Sequence, residues 1–246
     1  MILQPDTIRI FIGFDNISQV AYHVLVNSIL RQASRPVQIT PICLKHFQDG
    51  PLTRPRDVRQ SNDFAFARWL VPWLCNYEGW AIFTDNDMLF REDIANLWDL
   101  RNPRYTIQCV QHQYTPSCTT KFLGREQTAY ERKNWSSVML MNCRNCGWRG
   151  LDPHYVNHAS GLELHQFNWL KDSDIGDLPK QWNHLVGEYP YDENASLVHW
   201  TLGGPWFEGY EGVDYADEWL EEYCLMRSAE SGSHLLEATT KYRVLT

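Results

Sequence analysis

GWAIFTDNDM, residues 79–88, is the stretch of sequence that decides the fold. Its apolar part, from Trp80 to Thr84, predicts a short buried strand that begins after Gly79. The strand runs directly into Asp85-Asn86-Asp87, with no turn partner that closes a hairpin. Because open α/β sheets bind ligands at the carboxyl ends of their strands, this position predicts a functional site at the sheet edge.

A β-α-β unit precedes this stretch. Residues 7–14 form a nearly continuous apolar run, typical of a strand covered on both faces, which leads into Asp15 and Asn16. Apolar residues near helical spacing predict a helix over 18–32, and residues 37–44 predict a second strand. Since such a unit places its strands in parallel, we expect an α/β fold with a mostly parallel sheet flanked by helices.

The remaining chain shows no linker and no repeat, which predicts a single domain over 1–246 with the C-terminal third packed on it. The polar last twenty or so residues are interpreted as a loosely held tail. Further elements are predicted from the same patterns: helices over 63–75, 92–97 and 162–170, and strands over 105–110, 135–142 and 197–200.

Composition excludes some classes of protein. The 22 basic and 30 acidic residues give a net charge of −8, which argues against non-specific binding of nucleic acid. An anionic ligand therefore needs local neutralisation by a few basic residues or a metal cation. The seven cysteines form no framework and indicate free thiols. With no signal sequence and no membrane-spanning run, we expect a cytoplasmic location, and peripheral attachment to a membrane stays open.

Asp85 and Asp87 are the first candidates for chemistry. Aspartate is unfavourable in an apolar setting unless it is paired or binds a metal, and two neighbouring carboxylates repel each other. A divalent cation relieves both costs, and hard oxygen ligands suit Mg²⁺ or Mn²⁺. The alternative is an ordinary Asp-Asn-Asp turn, which is common at strand ends. We favour the metal site because the triplet follows a buried strand.

A second enzyme class also carries Asp-X-Asp after an apolar strand, the metal-dependent phosphatases with an aspartate nucleophile. These enzymes need an acidic pair further along the chain, and the sequence shows no convincing one. A zinc site formed by Cys143, Cys146, His154 and His158 is another alternative. Its gap of seven residues is short for a zinc finger, and Gly147 favours an ordinary loop.

Several segments, taken with the aspartate triplet, occur in a characteristic order. They are 11–16 (FIGFDN), 66–70 (FARWL), 81–90 (AIFTDNDMLF), 136–142 (SSVMLMN), 178–183 (LPKQWN) and 199–206 (HWTLGGPW). In order and spacing they resemble the glycogenin-like family 8 glycosyltransferases over residues 8–206. A degraded counterpart of that family's acidic stretch near the sugar begins at Glu163. The sequence departs from the family pattern at Gly204, which stands where a lysine is usual.

The resemblance implies a GT-A fold and the transfer of a hexose from a nucleotide-sugar, in that family a UDP-sugar, to an acceptor hydroxyl with retention. It implies Mn²⁺ or Mg²⁺ bound by Asp85, Asp87 and His199. It makes Glu163 a candidate for stabilising positive charge on the sugar, and it assigns the C-terminal part of the domain to the acceptor. It also implies two sets of donor-binding residues. The nucleotide is expected to contact Asp15, Asn16, Arg68, Asn86, Gly203 and Gly204. The sugar is expected to contact Ser136, Ser137 and Trp206. A non-catalytic carbohydrate-binding protein remains the alternative outside enzymes.

Overall fold

The computed structural model describes residues 6–56, 60, 62–127 and 129–227, which form a central sheet flanked by helices. The strands are β1 (Ile8–Phe14), β2 (Val37–Cys43), β3 (Trp80–Thr84), β4 (Met88–Phe90), β5 (Ile107–Cys109), β6 (Thr120–Lys121), β7 (Arg125–Glu126), β8 (Val138–Asn142), β9 (Ile175–Asp177), β10 (His184–Leu185) and β11 (Leu197–His199). The α-helices are α1 (Gln19–Gln32), α2 (Val71–Leu74), α3 (Ile94–Trp98), α4 (Pro153–His158), α5 (Gly161–His165) and α6 (Ala216–Arg227).

The central sheet has six strands in the order β2-β1-β3-β8-β5-β9. The pairs β1–β2, β1–β3 and β5–β9 are parallel, and β8 runs antiparallel to both of its neighbours. A second sheet has the order β10-β11-β4, and β6 pairs with β7 in a short hairpin. The predicted α/β fold with a mostly parallel sheet and a β-α-β start is confirmed.

Both faces of the central sheet are covered, as the apolar run of β1 predicted. Ile8, Ile10 and Ile12 of β1 pack in one buried cluster with the apolar face of α1. Phe11, on the other face of β1, belongs to a second buried cluster that includes Phe64. This burial explains why the strand is apolar in both directions rather than alternating.

The helix predicted over 63–75 is wrong. The chain forms a 3₁₀ turn at Ala67–Leu70 and then the short helix α2, with Pro72 in its first turn. Proline lacks an N–H and is tolerated only in the first turn of a helix, so a continuous helix through residue 72 is unfavourable. Arg68 consequently lies in the 3₁₀ turn that precedes α2 and not within a long α-helix.

Several further elements are shorter than predicted, and for two of them the backbone gives the reason. The helix over 162–170 ends at His165, and the left-handed backbone of Phe167 (φ +56°) prevents its continuation. The strand over 135–142 begins only at Val138, because residues Trp135–Ser137 form a 3₁₀ turn that follows the left-handed Asn134. The predicted tail falls on residues 228–246, which lie outside the described residues. In the described part of the chain, no helix has the length and apolar character needed to span a membrane.

Candidate active site

The aspartate triplet connects the two sheets. Thr84 ends β3 of the central sheet, and Met88 begins β4 of the second sheet. The backbone N–H of Asp85 donates to the carbonyl of Ser137 (2.9 Å), just before β8. The backbone carbonyl of Asp87 accepts from the N–H of Trp200 (2.9 Å), just after β11. Strand ends from both sheets therefore fix the backbone of the triplet.

Asp85, Asp87 and His199 converge at this junction. One ligand atom from each of the three residues lies within 4.8 Å of the other two. Their side chains are 13%, 20% and 2% exposed, respectively. His199 is brought there by strand pairing, because β11 runs antiparallel to β4 and places His199 opposite Met88. The structure thus assembles the three residues that the sequence proposed as metal ligands.

The orientation of the His199 imidazole is set by Asn183, which is fully buried. The Asn183 amide nitrogen donates to the Ser137 hydroxyl (2.9 Å) and to the carbonyl of Asn134 (3.3 Å). The backbone carbonyl of Asn134 can only accept, so the Asn183 side chain must present its NH₂ group to it. The amide oxygen of Asn183 therefore faces His199 Nδ1, which lies 3.0 Å away. Nδ1 therefore carries the proton, and the lone pair of Nε2 is directed to the metal site.

Arg68 is the immediate partner of Asp85. Its buried guanidinium Nη1 lies 2.8 Å from Asp85 Oδ1 and donates to the carbonyl of Ser136 (2.8 Å). Burial raises the pKa of Asp85 to about 6, with the charge of Asp87 acting in the same direction and that of Arg68 opposing it. Burial also acts to raise the pKa of Asp87, but His199 outweighs it when its ring is protonated, and the pKa of Asp87 is then lowered.

These features fit a divalent cation. Asp87 Oδ1 is buried with no hydrogen-bond partner among the described residues, 3.4 Å from His199 Nε2. A buried carboxylate oxygen without a donor is costly unless a cation compensates for it. Two carboxylates and a neutral imidazole are a suitable ligand set for Mn²⁺ or Mg²⁺.

The three residues open into a cavity of about 770 Å³. Most of the other predicted site residues also line this cavity. They are Asp15, Arg68, Asn86, Ser136, Ser137 and Trp206. The remaining predicted residues are not among the described residues that line it. They are Asn16, Glu163, Gly203 and Gly204.

Several cavity-lining polar groups are already engaged in positioning loops. Asp15 accepts from the backbone N–H of Ile17 (2.9 Å) and of Asp63 (3.0 Å), one with each carboxylate oxygen. Asn86 donates its side-chain amide to the hydroxyl of Ser18 (3.0 Å). These bonds connect the ends of β1 and β3, so the cavity wall on this side is fixed before any ligand arrives.

Glu163 is turned away from the cavity. Its carboxylate accepts a short hydrogen bond from the hydroxyl of Tyr155. The neighbouring His165 lines the cavity instead, with Nδ1 2.7 Å from the hydroxyl of Ser136. Burial lowers the pKa of His165 to about 3, and nearby cations contribute, so its imidazole is neutral at physiological pH. Helix α5 therefore contributes the imidazole of His165 to the cavity, and not the carboxylate of Glu163 that the sequence predicted.

Gly203 and Gly204 are required by packing of aromatic rings. A Cβ on Gly203, which has φ +136°, is only 2.7 Å from the ring of Tyr210. A Cβ on Gly204 is only 2.1 Å from the ring of Trp206. Both glycines thus allow rings to lie directly against the backbone, which is a sufficient reason for glycine at these positions.

The cavity carries more positive than negative charge, in contrast to the chain as a whole. Among the described residues, its carboxylates are those of Asp15, Asp85 and Asp87. Its lysine and arginine side chains are those of Arg56, Arg68, Lys121, Arg125 and Lys133. Four of these five were not predicted, because residues 111–133 show no periodicity and residue 56 lies in a polar segment. An excess of two positive charges suits an anionic ligand.

The zinc alternative is wrong for the part of the chain that the structure describes. There, Asp85, Asp87 and His199 are the only group of three or more His, Cys, Asp or Glu residues close enough to bind one metal ion. Within the described ranges no further carboxylate belongs to that group, whereas the phosphatase alternative requires an additional acidic pair.

Comparison with known proteins identifies relatives. No model of a known protein family matches the chain. The chain is 44% identical over 220 residues to protein CDI of Arabidopsis thaliana, a region that covers 87% of this chain and 85% of that protein.

Solved structures with the same fold are glycosyltransferases. The bifunctional glycosyltransferase WbbM superposes with a TM-score of 0.64 at 14% identity, covering 98% of this chain. GlyE of Streptococcus pneumoniae TIGR4 gives 0.59 at 15% identity over 97% of this chain. The chain spans only 52% of WbbM and 64% of GlyE. The galactosyltransferase LgtC, solved with donor and acceptor sugar analogs, gives 0.55 at 12% identity, covering 91% of this chain and 98% of LgtC. These similarities show a GT-A-type glycosyltransferase fold.

Proposed function

This chain belongs to the family of protein CDI of Arabidopsis thaliana, and from its GT-A fold and its acidic site we propose that it is a metal-dependent glycosyltransferase of the glycogenin-like type. The proposed reaction moves a hexose from a UDP-sugar to a hydroxyl group of an acceptor. The observation that supports it best is the convergence of Asp85, Asp87 and His199 at the carboxyl end of β3, inside a cavity with an excess of positive charge.

In this proposal Asp85, Asp87 and His199 bind Mn²⁺ or Mg²⁺. When bound, the cation supplies Lewis-acid stabilisation for the charge that develops on the leaving diphosphate. Arg68 keeps Asp85 ionised despite its burial, since the guanidinium lies 2.8 Å from the carboxylate. Asn183 holds the His199 ring so that Nε2 faces Asp87. The chain thus prepares the ligand set with its own hydrogen bonds.

The other cavity residues have proposed roles in binding the donor. Asp15 and Asn86 lie beside the ends of β1 and β3, where the fold class receives a nucleoside. Ser136, Ser137 and Trp206 are the proposed sugar contacts, because each of them lines the same cavity. Glu163 is left out of the proposal, since its carboxylate is bonded to Tyr155.

The proposed chemistry is a front-face substitution with retention, as the family 8 resemblance implies. The bond between the anomeric carbon and the phosphate oxygen breaks, and a bond to the acceptor oxygen forms on the same face. The acceptor proton passes to the leaving phosphate oxygen, so no protein nucleophile is needed. The contribution of the chain is to orient the donor and to shield it from water within the cavity.

Calorimetric binding of UDP with and without Mn²⁺ is the first test. We expect binding that depends on the metal, and a wild-type protein that binds no UDP under either condition contradicts the proposal. Binding of free sugar without any need for metal favours a carbohydrate-binding protein instead.

The second test measures glycosyl transfer by the variant Asp87→Asn, which changes one proposed metal ligand. Loss of an outer-shell partner of a metal ligand lowers metal affinity or activity by about ten- to hundredfold. Loss of a ligand itself should therefore lower the rate of hexose transfer, measured with a panel of UDP-hexoses, by at least about a hundredfold. The control is Asp49→Asn, an equivalent change at an exposed position outside the cavity lining. Equal turnover by Asp87→Asn and wild type, both folded by circular dichroism, refutes the metal assignment.

A further inference from the structure

The hairpin of β6 and β7 contributes two cations to the cavity. Lys121 of β6 pairs directly with Arg125 of β7, and both line the cavity together with Lys133. We call residues 120–126 the basic hairpin. Directly paired positions of an antiparallel hairpin have neighbouring side chains, so the two cations are held near each other although like charges repel.

The basic hairpin is docked on the chain that follows the metal ligand His199. The ring of Phe122 stacks on Phe207, with centroids 4.8 Å apart and planes 9° from parallel. The backbone N–H of Phe122 donates to the carbonyl of Leu202 (2.8 Å). A Cβ on Gly203 is 3.0 Å from the Cβ of Phe122, so a larger residue there disturbs this contact. The docking fixes Lys121 relative to the metal site.

Lys121 lines the same cavity as Asp85, Asp87 and His199. Its positive charge lowers the pKa of both Asp85 and Asp87. Burial nevertheless lowers the pKa of Lys121 itself, with help from Arg125 and Arg68, although both aspartates act to raise it. Burial and the charge of Lys121 also lower the pKa of Lys133, to about 8. The cations are therefore desolvated and close enough to repel one another.

A divalent cation on Asp85 and Asp87 adds two further positive charges to this environment. The carboxylates that now attract Lys121 are then compensated by the metal. A ligand with one negative charge leaves most of the positive charge uncompensated, whereas a diphosphate offers several charged oxygens to the metal and to the hairpin together. Lysine binds phosphate as a point charge and arginine binds it through a planar fork.

We propose that Lys121, supported by Arg125 and Lys133, binds the diphosphate of the donor, so that the basic hairpin forms the second half of the diphosphate site. This inference rests on the proposed function, because it takes a nucleoside diphosphate as the ligand. It assigns a binding role to a segment whose sequence carries no recognisable pattern.

The test compares Lys121→Met with wild type by calorimetry, using UDP, inorganic pyrophosphate and Mn²⁺ alone as probes. A hydrogen bond to a charged group corresponds to a change of about ten- to hundredfold, so both phosphorylated probes should bind that much more weakly in the presence of Mn²⁺. Mn²⁺ alone should bind at least as tightly as in wild type, because a cation that repels the ion has been removed, and the melting temperature should stay near the wild-type value. Lys121→Arg should keep most of the affinity, because it retains the charge. Lys45→Met, at an exposed position outside the cavity lining, is the matched control.

The outcomes separate this inference from the proposed function. Wild type that binds UDP, with Lys121→Met binding it equally well, overturns the role of the hairpin and leaves the glycosyltransferase proposal standing. Wild type that binds pyrophosphate but not UDP removes the nucleotide-sugar donor, while a loss in Lys121→Met still supports the phosphate site. Binding of neither probe by wild type overturns both proposals. A lowered melting temperature with unchanged affinity shows a structural role for Lys121 and also overturns the inference.

Discussion

Asn183→Ala should weaken metal binding without removing a metal ligand. The side chain of Asn183 makes three buried hydrogen bonds, to His199 Nδ1 (3.0 Å), the Ser137 hydroxyl (2.9 Å) and the carbonyl of Asn134 (3.3 Å). After the change, Ser137 still donates to the carbonyl of Asn134 (2.6 Å). The N–H of the His199 imidazole therefore loses its partner, and the ring loses the contact that holds its orientation.

The expected magnitudes follow from these bonds. A buried hydrogen bond contributes about 1 kcal/mol, so the free energy of unfolding should fall by about 2–3 kcal/mol. For a domain of this size that corresponds to a fall in melting temperature of about 5–10 °C. Outer-shell partners of a ligating histidine are worth about ten- to hundredfold in metal affinity, which is about 1.4–2.7 kcal/mol.

The assay is calorimetric binding of Mn²⁺ together with thermal unfolding in the presence of a chelator. Asn142→Ala is the matched control, because Asn142 is also buried and donates to two backbone carbonyls, at the opposite end of β8. It should lose a similar amount of stability and keep its affinity for Mn²⁺. If Asn183→Ala binds Mn²⁺ as tightly as wild type, while Asp87→Ala does not bind it, the assigned role of Asn183 is refuted.

Two further predictions concern stability. In Gly13→Ala the new Cβ lies 2.4 Å from the buried ring of Phe64, so the ring must move and the free energy of unfolding in urea should fall by about 1–3 kcal/mol. The smaller side chain of Phe64→Leu in the same background should restore part of that stability. An unchanged urea midpoint for Gly13→Ala contradicts this packing argument. Asp93 caps α3 by accepting from the N–H of Ala95 (2.9 Å), and hydrogen bonds to it from Ser34 and Ala95 outweigh burial and lower its pKa. Asp93→Ala should therefore cost about 1 kcal/mol at neutral pH. Because the pKa is lowered on folding, that difference should be complete above about pH 5 and shrink as the pH falls below about 4, which urea titrations at several pH values measure.

The sequence predicted the parts of the fold that depend on local periodicity. The apolar run of β1 and the helical spacing of α1 identify a β-α-β unit because both faces of the sheet are covered. The position of Asp85 and Asp87 could also be predicted, since the triplet directly follows a buried strand. His199 was identified by resemblance, and the structure gives the physical reason, which is its register opposite Met88.

The sequence could not predict the features that depend on contacts between distant segments. Lys121 lines the cavity because the hairpin is docked by the stacking of Phe122 on Phe207, and no local pattern near residue 121 indicates that contact. Glu163 and His165 lie two residues apart in a five-residue helix, which is too short for periodicity to show which of them faces the cavity.

The fold brings the three proposed metal ligands together before any ion arrives. The backbone of Asp87 is bonded to Trp200 of the β11 end, and that of Asp85 is bonded to Ser137 beside β8. The side chains of Asp85 and His199 are each held by a buried partner, Arg68 and Asn183. A site whose ligands are already ordered loses little conformational entropy on binding. The folded state without a cation instead carries the free-energy cost of burying two carboxylates. In the proposed function, a divalent cation bound between the two sheets compensates the charge of the two carboxylates and so offsets the cost of burying them.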